Sequence, residues 1–223
     1  MHSEIFHLGS PLLPAKEYLK TLANEIINAI GKTGTLVAPT YTYSFCENKI
    51  YNPTMSYSKM GALNEFIRKN YATHRTFDAN FSHALLGKNS ERLMRANSHD
   101  TFGKDGFFAA FKALNGKVLL LGDDKIGGTL FHHVEKMAGV SYRFDKKFKG
   151  ILQINDEKTP HLNIFFARKL DTPSIARPQN YIKRSLKSYK IAKIKNVVVA
   201  SYGAKEHFKK TIKKLKKDEK CFL

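Results

Sequence analysis

Thr129, His132 and Glu135 follow one another at three-residue steps, directly after a leucine run and a glycine-rich loop. Residues three apart on a helix share a face, so this spacing brings an imidazole and a carboxylate together. That pair can move a proton near neutral pH, with the carboxylate orienting or polarising the ring. Thr129 stands where it would cap the helix. Backbone N–H groups around 128–130 would then lack helical partners and could face an anion. His133 points about 100° away round the helix and reads as a core or bystander residue. A lone His-x-x-Glu on a helix is also a common surface pair, so its surroundings decide its weight.

Those surroundings favour a site. Val118, Leu119, Leu120 and Leu121 form a short apolar run that reads as a strand buried on both faces. Gly122, Gly127 and Gly128 punctuate the following loop, which carries Asp123 and Asp124. A helix over 130–137 follows. Strand, glycine loop and helix start form the usual setting of a site at the carboxyl end of an α/β strand.

Earlier in the chain, periodic apolar residues predict a helix over 14–30, opened by Pro14 and stopped by Gly31. A strand over 35–38 completes a β-α-β pattern, which implies an α/β layer fold. The loop 39–52 is rich in Thr and Tyr and reads either as a pocket wall or as aromatic packing over a sheet edge. A helix is expected over 59–70 with Leu63, Phe66 and Ile67 inward. Strands are expected over 151–154, 162–167 and 197–201. An amphipathic surface helix follows over 204–217, and 177–190 reads as a loop. His74, His83 and His99 lie nine and sixteen residues apart, which matches no common metal-ligand motif.

The 223 residues can bury a sizeable core. No run approaches the roughly 18 apolar residues of a membrane span, and the N-terminus lacks a basic-then-apolar leader pattern. Two cysteines, Cys46 and Cys221, make no disulfide or metal framework. A cytoplasmic location is expected. The formal net charge is +19, and residues 183–220 hold 14 basic against 3 acidic residues. This basic portion reads as a solvated lysine face or as an attractor of nucleic acid or anionic surfaces.

Several blocks together resemble the aminoglycoside 3-N-acetyltransferase family. They are Thr129-x-x-His132-x-x-Glu135, GTLVAPTYTYSF from Gly34, NPTMSYSKMGAL from Asn52, RTFDANFSHALLG from Arg75 and FGKDGFF from Phe102. The similarity spans roughly residues 1–150, so the basic tail is expected to be dispensable for chemistry. It implies one α/β domain with a central mixed sheet flanked by helices in three layers, N-terminally short relative to the family. It implies acetyl-CoA as co-substrate, no metal, and a small-molecule amine acceptor. His132 would be the general base and Glu135 its partner. Ser3, Gly122 and Thr129 would face the cofactor, and Tyr43, Asp78, Ser82 and Asp123 the acceptor. Gly106 replaces a usual serine, implying a lost polar contact.

Asp78, where many members read histidine, and the segment YRFDKKFKG resemble the branch acting on sugars of surface polysaccharides. The strongly basic chain is a poor match for polycationic drugs. An amino sugar or nucleotide-linked amino sugar is therefore the preferred acceptor. An aminoglycoside is the first alternative, and a degenerate non-catalytic relative another. Nucleic-acid binding lacks a motif, and homo-oligomerisation stays open.

Overall fold

The computed structural model describes residues 1–9, 11–125, 128–172 and 176–223. The elements run β1 (His2–Ser3), α1 (Ala15–Ile30), β2 (Thr35–Pro39), α2 (Ala62–Asn70), β3 (His74–Arg75) and β4 (His83–Gly87). They continue with α3 (Ser90–Met94), α4 (Phe107–Ala113), β5 (Lys117–Gly122) and α5 (Leu130–Ala138). The remainder is β6 (Arg143–Ile154), β7 (Glu157–Arg168), α6 (Gln179–Ser185), β8 (Lys190–Ile194), β9 (Val197–Gly203) and α7 (Ala204–Leu215). The fold is mixed α/β.

One sheet has the order β1-β5-β9-β8, a second β2-β4-β3, and β6 and β7 form a separate hairpin. The first sheet is mixed: β1 runs parallel to β5, while β9 is antiparallel to both β5 and β8. The Met1 ammonium donates to the Val37 carbonyl at 2.9 Å. The N-terminus thus touches β2 on one side while β1 pairs with β5 on the other. The expected central sheet is therefore realised as two sheets meeting at a two-residue strand.

β5 explains the layering. Val118 and Leu120 join the larger apolar cluster, built with Phe107, Phe108, Leu130, Phe131 and Val134. Leu119 and Leu121 pack instead on a second cluster formed by α1, α2 and β2. A strand alternates its side chains between faces, so an all-leucine run fits only where both faces are covered. α1 and α2 lie on one side, and α4, α5 and α7 on the other.

The C-terminal portion is part of this core. β9 is the inner neighbour of β5, and α7 packs on α5. Ala204, His207, Thr211 and Leu215 form its buried stripe, while Lys205, Lys209, Lys213, Lys216 and Lys217 are exposed. α7 is thus a packed helix with a lysine-rich outer face. The stretch read as a loop over 177–190 contains α6 and opens β8. All five residues of β8 are exposed. An edge strand studded with lysine shows no inside–outside alternation, which hid it from pattern reading.

His207 is fully buried, with Nε2 unpartnered, and burial pushes its imidazole from 6.5 down to about 3. Burial likewise holds His133 down at about 4. Unfolding lets both rings protonate, so their contribution to stability is fully present above pH 6.5 and is lost as pH falls below it. The melting temperature should therefore drop between pH 7 and pH 5, and His207→Leu should flatten that slope. An unchanged slope would contradict the buried neutral ring. Glutamate at Lys209, Lys213, Lys216 and Lys217 should shift stability little. Leu215→Ala should cost about 2–5 kcal/mol in a denaturant melt.

Candidate active site

The site begins where β5 ends. Gly122 has φ +96, and a Cβ there would lie 2.3 Å from the Glu4 carbonyl oxygen. Only glycine allows β5 and the segment after β1 to approach so closely. Asp123 folds back on the turn, its carboxylate accepting the Lys125 N–H at 2.7 Å. Gly127 lies outside the described residues. Gly128 sits against Tyr202, whose hydroxyl would be 2.4 Å from an added Cβ. α5 starts two residues later.

Thr129 occupies the N-cap position but does not cap the helix with its side chain. Its dihedrals, φ −56 and ψ −23, are helical. A capping side chain reaches back only from an extended N-cap residue.

His132 and Glu135 meet as the spacing predicts. His132 Nδ1 lies 2.6 Å from Glu135 Oε2. Glu135 is fully buried, whereas the His132 side chain is about one-third exposed. Tyr142 donates its hydroxyl to Oε1 at 2.9 Å. Arg143 Nε lies 2.9 Å from Oε2 as an ion pair, without the alignment of a hydrogen bond. Burial pushes the Glu135 carboxyl up. The hydrogen bond and charge of His132, the Arg143 charge and the Tyr142 hydroxyl outweigh it and hold the group below its usual value. Burial and the neighbouring Glu135 push the Tyr142 phenol up. An ionised carboxylate only accepts, so His132 donates from Nδ1 and keeps the Nε2 lone pair available.

His132 opens onto a cleft of about 710 Å³, within the range of small-molecule sites. Gly128, Thr129, Phe131 and Arg143 line it with residues of the α6 entrance. Its cations are Lys125, Arg143, Arg177 and Lys183, and among the described residues no carboxylate lines it. Lys183 is paired with Asp124 at 2.6 Å. Among the described residues no group of three or more His, Cys, Asp or Glu is arranged to hold a metal. Among the described residues no helix is long and apolar enough to cross a membrane.

The other candidates from sequence lie elsewhere. Asp78 is buried, and its carboxylate accepts from the backbone of Asn80 and Phe81 and from the Thr101 hydroxyl. Ser82 is fully buried, donating to the Thr40 carbonyl at 2.7 Å. These two side chains organise their loop and expose nothing to an acceptor. Tyr43 has φ 54 and packs edge-on against Tyr41 and Phe81. Ser3 pairs with Leu121 in β1 and does not line the cleft. Gly122 and Asp123 do not line it either. Asp78, Asp123, Asp124 and Glu135 each have their own partners and form no shared cation seat.

Gly106 is closely enclosed. A Cβ there would lie 2.0 Å from the Asp100 carbonyl oxygen. The local backbone has no room for serine. His133 is core: it is fully buried, with Nδ1 2.8 Å from the Phe102 carbonyl oxygen. Tyr142 and Arg143 open the YRFDKKFKG segment but were not read as site residues, nor were Arg177 and Lys183, although Arg177 directly before Pro178 marked a helix entry.

The paired carboxylate makes a stability prediction. The Glu135 carboxyl sits below its ordinary 4.5 in the fold, so its contribution is present above that pH and is lost as pH falls through the depressed value. Glu135→Gln should therefore be less stable than wild type at pH 7, and the gap should narrow as pH falls below 4.5. A gap independent of pH, read by urea denaturation, would mean that the charge is not what stabilises.

A family model described as aminoglycoside 3-N-acetyltransferase matches residues 1–216. The match runs well past residue 150, through β9 and α7, in line with their place in the core. No curated protein matches the chain. Among solved structures, AAC-IIIb in binary complex with CoASH is similar at TM-score 0.79 and 19% identity, over 97% of this chain and 88% of that one. AAC-VIa bound to sisomicin is similar at TM-score 0.79 and 17% identity, over 97% and 89%. YokD from Bacillus subtilis follows at TM-score 0.73 and 15% identity, over 92% and 83%. At these identities the structures establish the shared fold. With the family model covering nearly all of its length, the chain belongs to the aminoglycoside 3-N-acetyltransferase family of acetyl-transferring enzymes.

Proposed function

We propose that the protein transfers the acetyl group of acetyl-CoA to the amine of an amino sugar or nucleotide-linked amino sugar, with His132 as general base. The observation that carries this reading is the His132–Glu135 pair, 2.6 Å apart, on the wall of a cation-lined cleft. Acetyl-CoA supplies an acyl thioester. Lys125 and Arg177 suit its phosphates, and a structure of similar fold is a complex with CoASH.

His132 Nε2 removes the proton of the acceptor amine, most of which is protonated near neutral pH. The amine nitrogen then forms the C–N bond as the C–S bond breaks, and one further N–H proton is released to solvent. Glu135 holds the ring in place and stabilises the imidazolium. His132 returns the proton to the departing sulfur. The start of α5, with its helical dipole, stabilises charge that develops on the carbonyl oxygen.

The absence of carboxylates from the described cleft wall supports an anionic acceptor over a polycation. An aminoglycoside is the second reading, favoured by the family's description and by the sisomicin complex of AAC-VIa.

His132→Ala should cut turnover by about two to four orders of magnitude, with little loss of CoA affinity. Thiol release from acetyl-CoA measures this, and a variant retaining more than a third of the wild-type rate would sink the assignment. With a phosphate-bearing amino sugar, kcat/KM should fall as salt rises, because attraction is screened over about 8–10 Å at 0.1–0.15 M. Rapid acetylation of an aminoglycoside, with amino nucleotide sugars inert at low salt, would select the second reading.

A further inference from the structure

Arg143 stands apart from the other cleft cations. It is the first residue of β6, yet it reaches the buried carboxylate of α5. Its Nε lies 2.9 Å from Glu135 Oε2, the same oxygen that receives His132 Nδ1 at 2.6 Å. Its far end is anchored by an NH1 bond to the Phe166 carbonyl at 3.3 Å and lies 5.7 Å over the Phe166 ring. Its side chain is only 12% exposed. The guanidinium therefore shares one carboxylate oxygen with the proposed base, from a fixed position.

We infer that Arg143 is a positioning residue that divides the Glu135 charge with His132 and so keeps His132 free to accept the acceptor's proton. The inference rests on the proposed role of His132. A buried carboxylate left to the imidazole alone would hold the ring as an imidazolium, which cannot act as a base. A fixed cation on the same oxygen weakens that hold and repels the imidazolium directly. Tyr142 satisfies the second oxygen, so it adds a hydrogen bond but no charge.

The remaining charged neighbours do not replace Arg143. Lys136, on the same helix, is held by Asp100 at 2.7 Å and Asp145 at 2.6 Å. Lys183 is neutralised by Asp124. Lys125 and Arg177 line the open cleft, where solvent screens them.

The test is the acid limb of kcat/KM, followed by thiol release from acetyl-CoA with a fixed amine acceptor. Arg143→Gln should move that limb to higher pH by about one unit or more, with activity recovering on the alkaline side. Arg143→Lys, which retains the charge, should restore most of the wild-type profile. A uniform loss at every pH would show a merely structural role and overturn the inference. A raised KM for acetyl-CoA with the limb unmoved would show a cofactor contact and overturn it too.

Arg143→Gln strands a buried anion and could fail to fold. The comparison is therefore repeated in a Glu135→Gln background, which has no anion to strand. There, adding Arg143→Gln should still raise the limb, because direct repulsion between Arg143 and His132 is lost. An unchanged limb would refute the inference. His132→Ala is assayed alongside: if it retains the rate, the general-base reading falls whatever the Arg143 variants do.

Discussion

A fully buried carboxylate is the constraint around which this site is built. Taking Glu135 out of water costs several kcal/mol unless charges and donors replace its hydration. Three side chains do so: His132 from the same helix, Tyr142 from the turn after it, and Arg143 from the start of β6. Satisfying one anion thus ties α5 to the hairpin and fixes the ring orientation of His132. Removing any one partner leaves a charge in the interior, so the site and local stability are coupled.

The scaffold holds α5 from behind by equally close contacts. Val134 and Leu130 are buried in the cluster that includes Leu215 of α7 and Tyr202 of β9. Gly128 lets the chain pass Tyr202, and Gly122 lets β5 pass the segment after β1. At the other side of β1, the Met1 ammonium is buried against β2, and burial lowers it from 8.0 to about 5. β1 is only two residues long, yet it lies between the sheets on which the site depends.

What was legible in the sequence was local. The apolar run, the glycines and the helix of His132 and Glu135 are contiguous, and their spacing alone predicted the 2.6 Å contact. Arg143 and Tyr142 were not legible as partners, because the helix ends at Ala138 and the left-handed turn at Gly139 breaks any regular period before them. Asp78 and Ser82 were read as acceptor contacts, but short polar side chains in a tight loop bind their own backbone first. The lysine-rich end looked dispensable because the resemblance was legible only to about residue 150, whereas the family match runs to 216. Its helix was legible, but the buried stripe at 204, 207, 211 and 215 includes a histidine and a threonine, so it read as a surface helix and not as part of the core. At Gly106 the Asp100 carbonyl leaves no room for a side chain, a close approach that no sequence pattern showed.

The central claim is that buried Glu135 fixes the tautomer of His132, leaving Nε2 as the base. Nitrogen-15 NMR of the histidine rings in the folded protein, with His132 identified by its loss in His132→Gln, reads this directly. The account predicts that neutral His132 carries its proton on Nδ1, and that Glu135→Ala lets the Nε2–H tautomer appear. A neutral His132 protonated on Nε2 in the wild-type protein would contradict it, since no lone pair would then face the cleft.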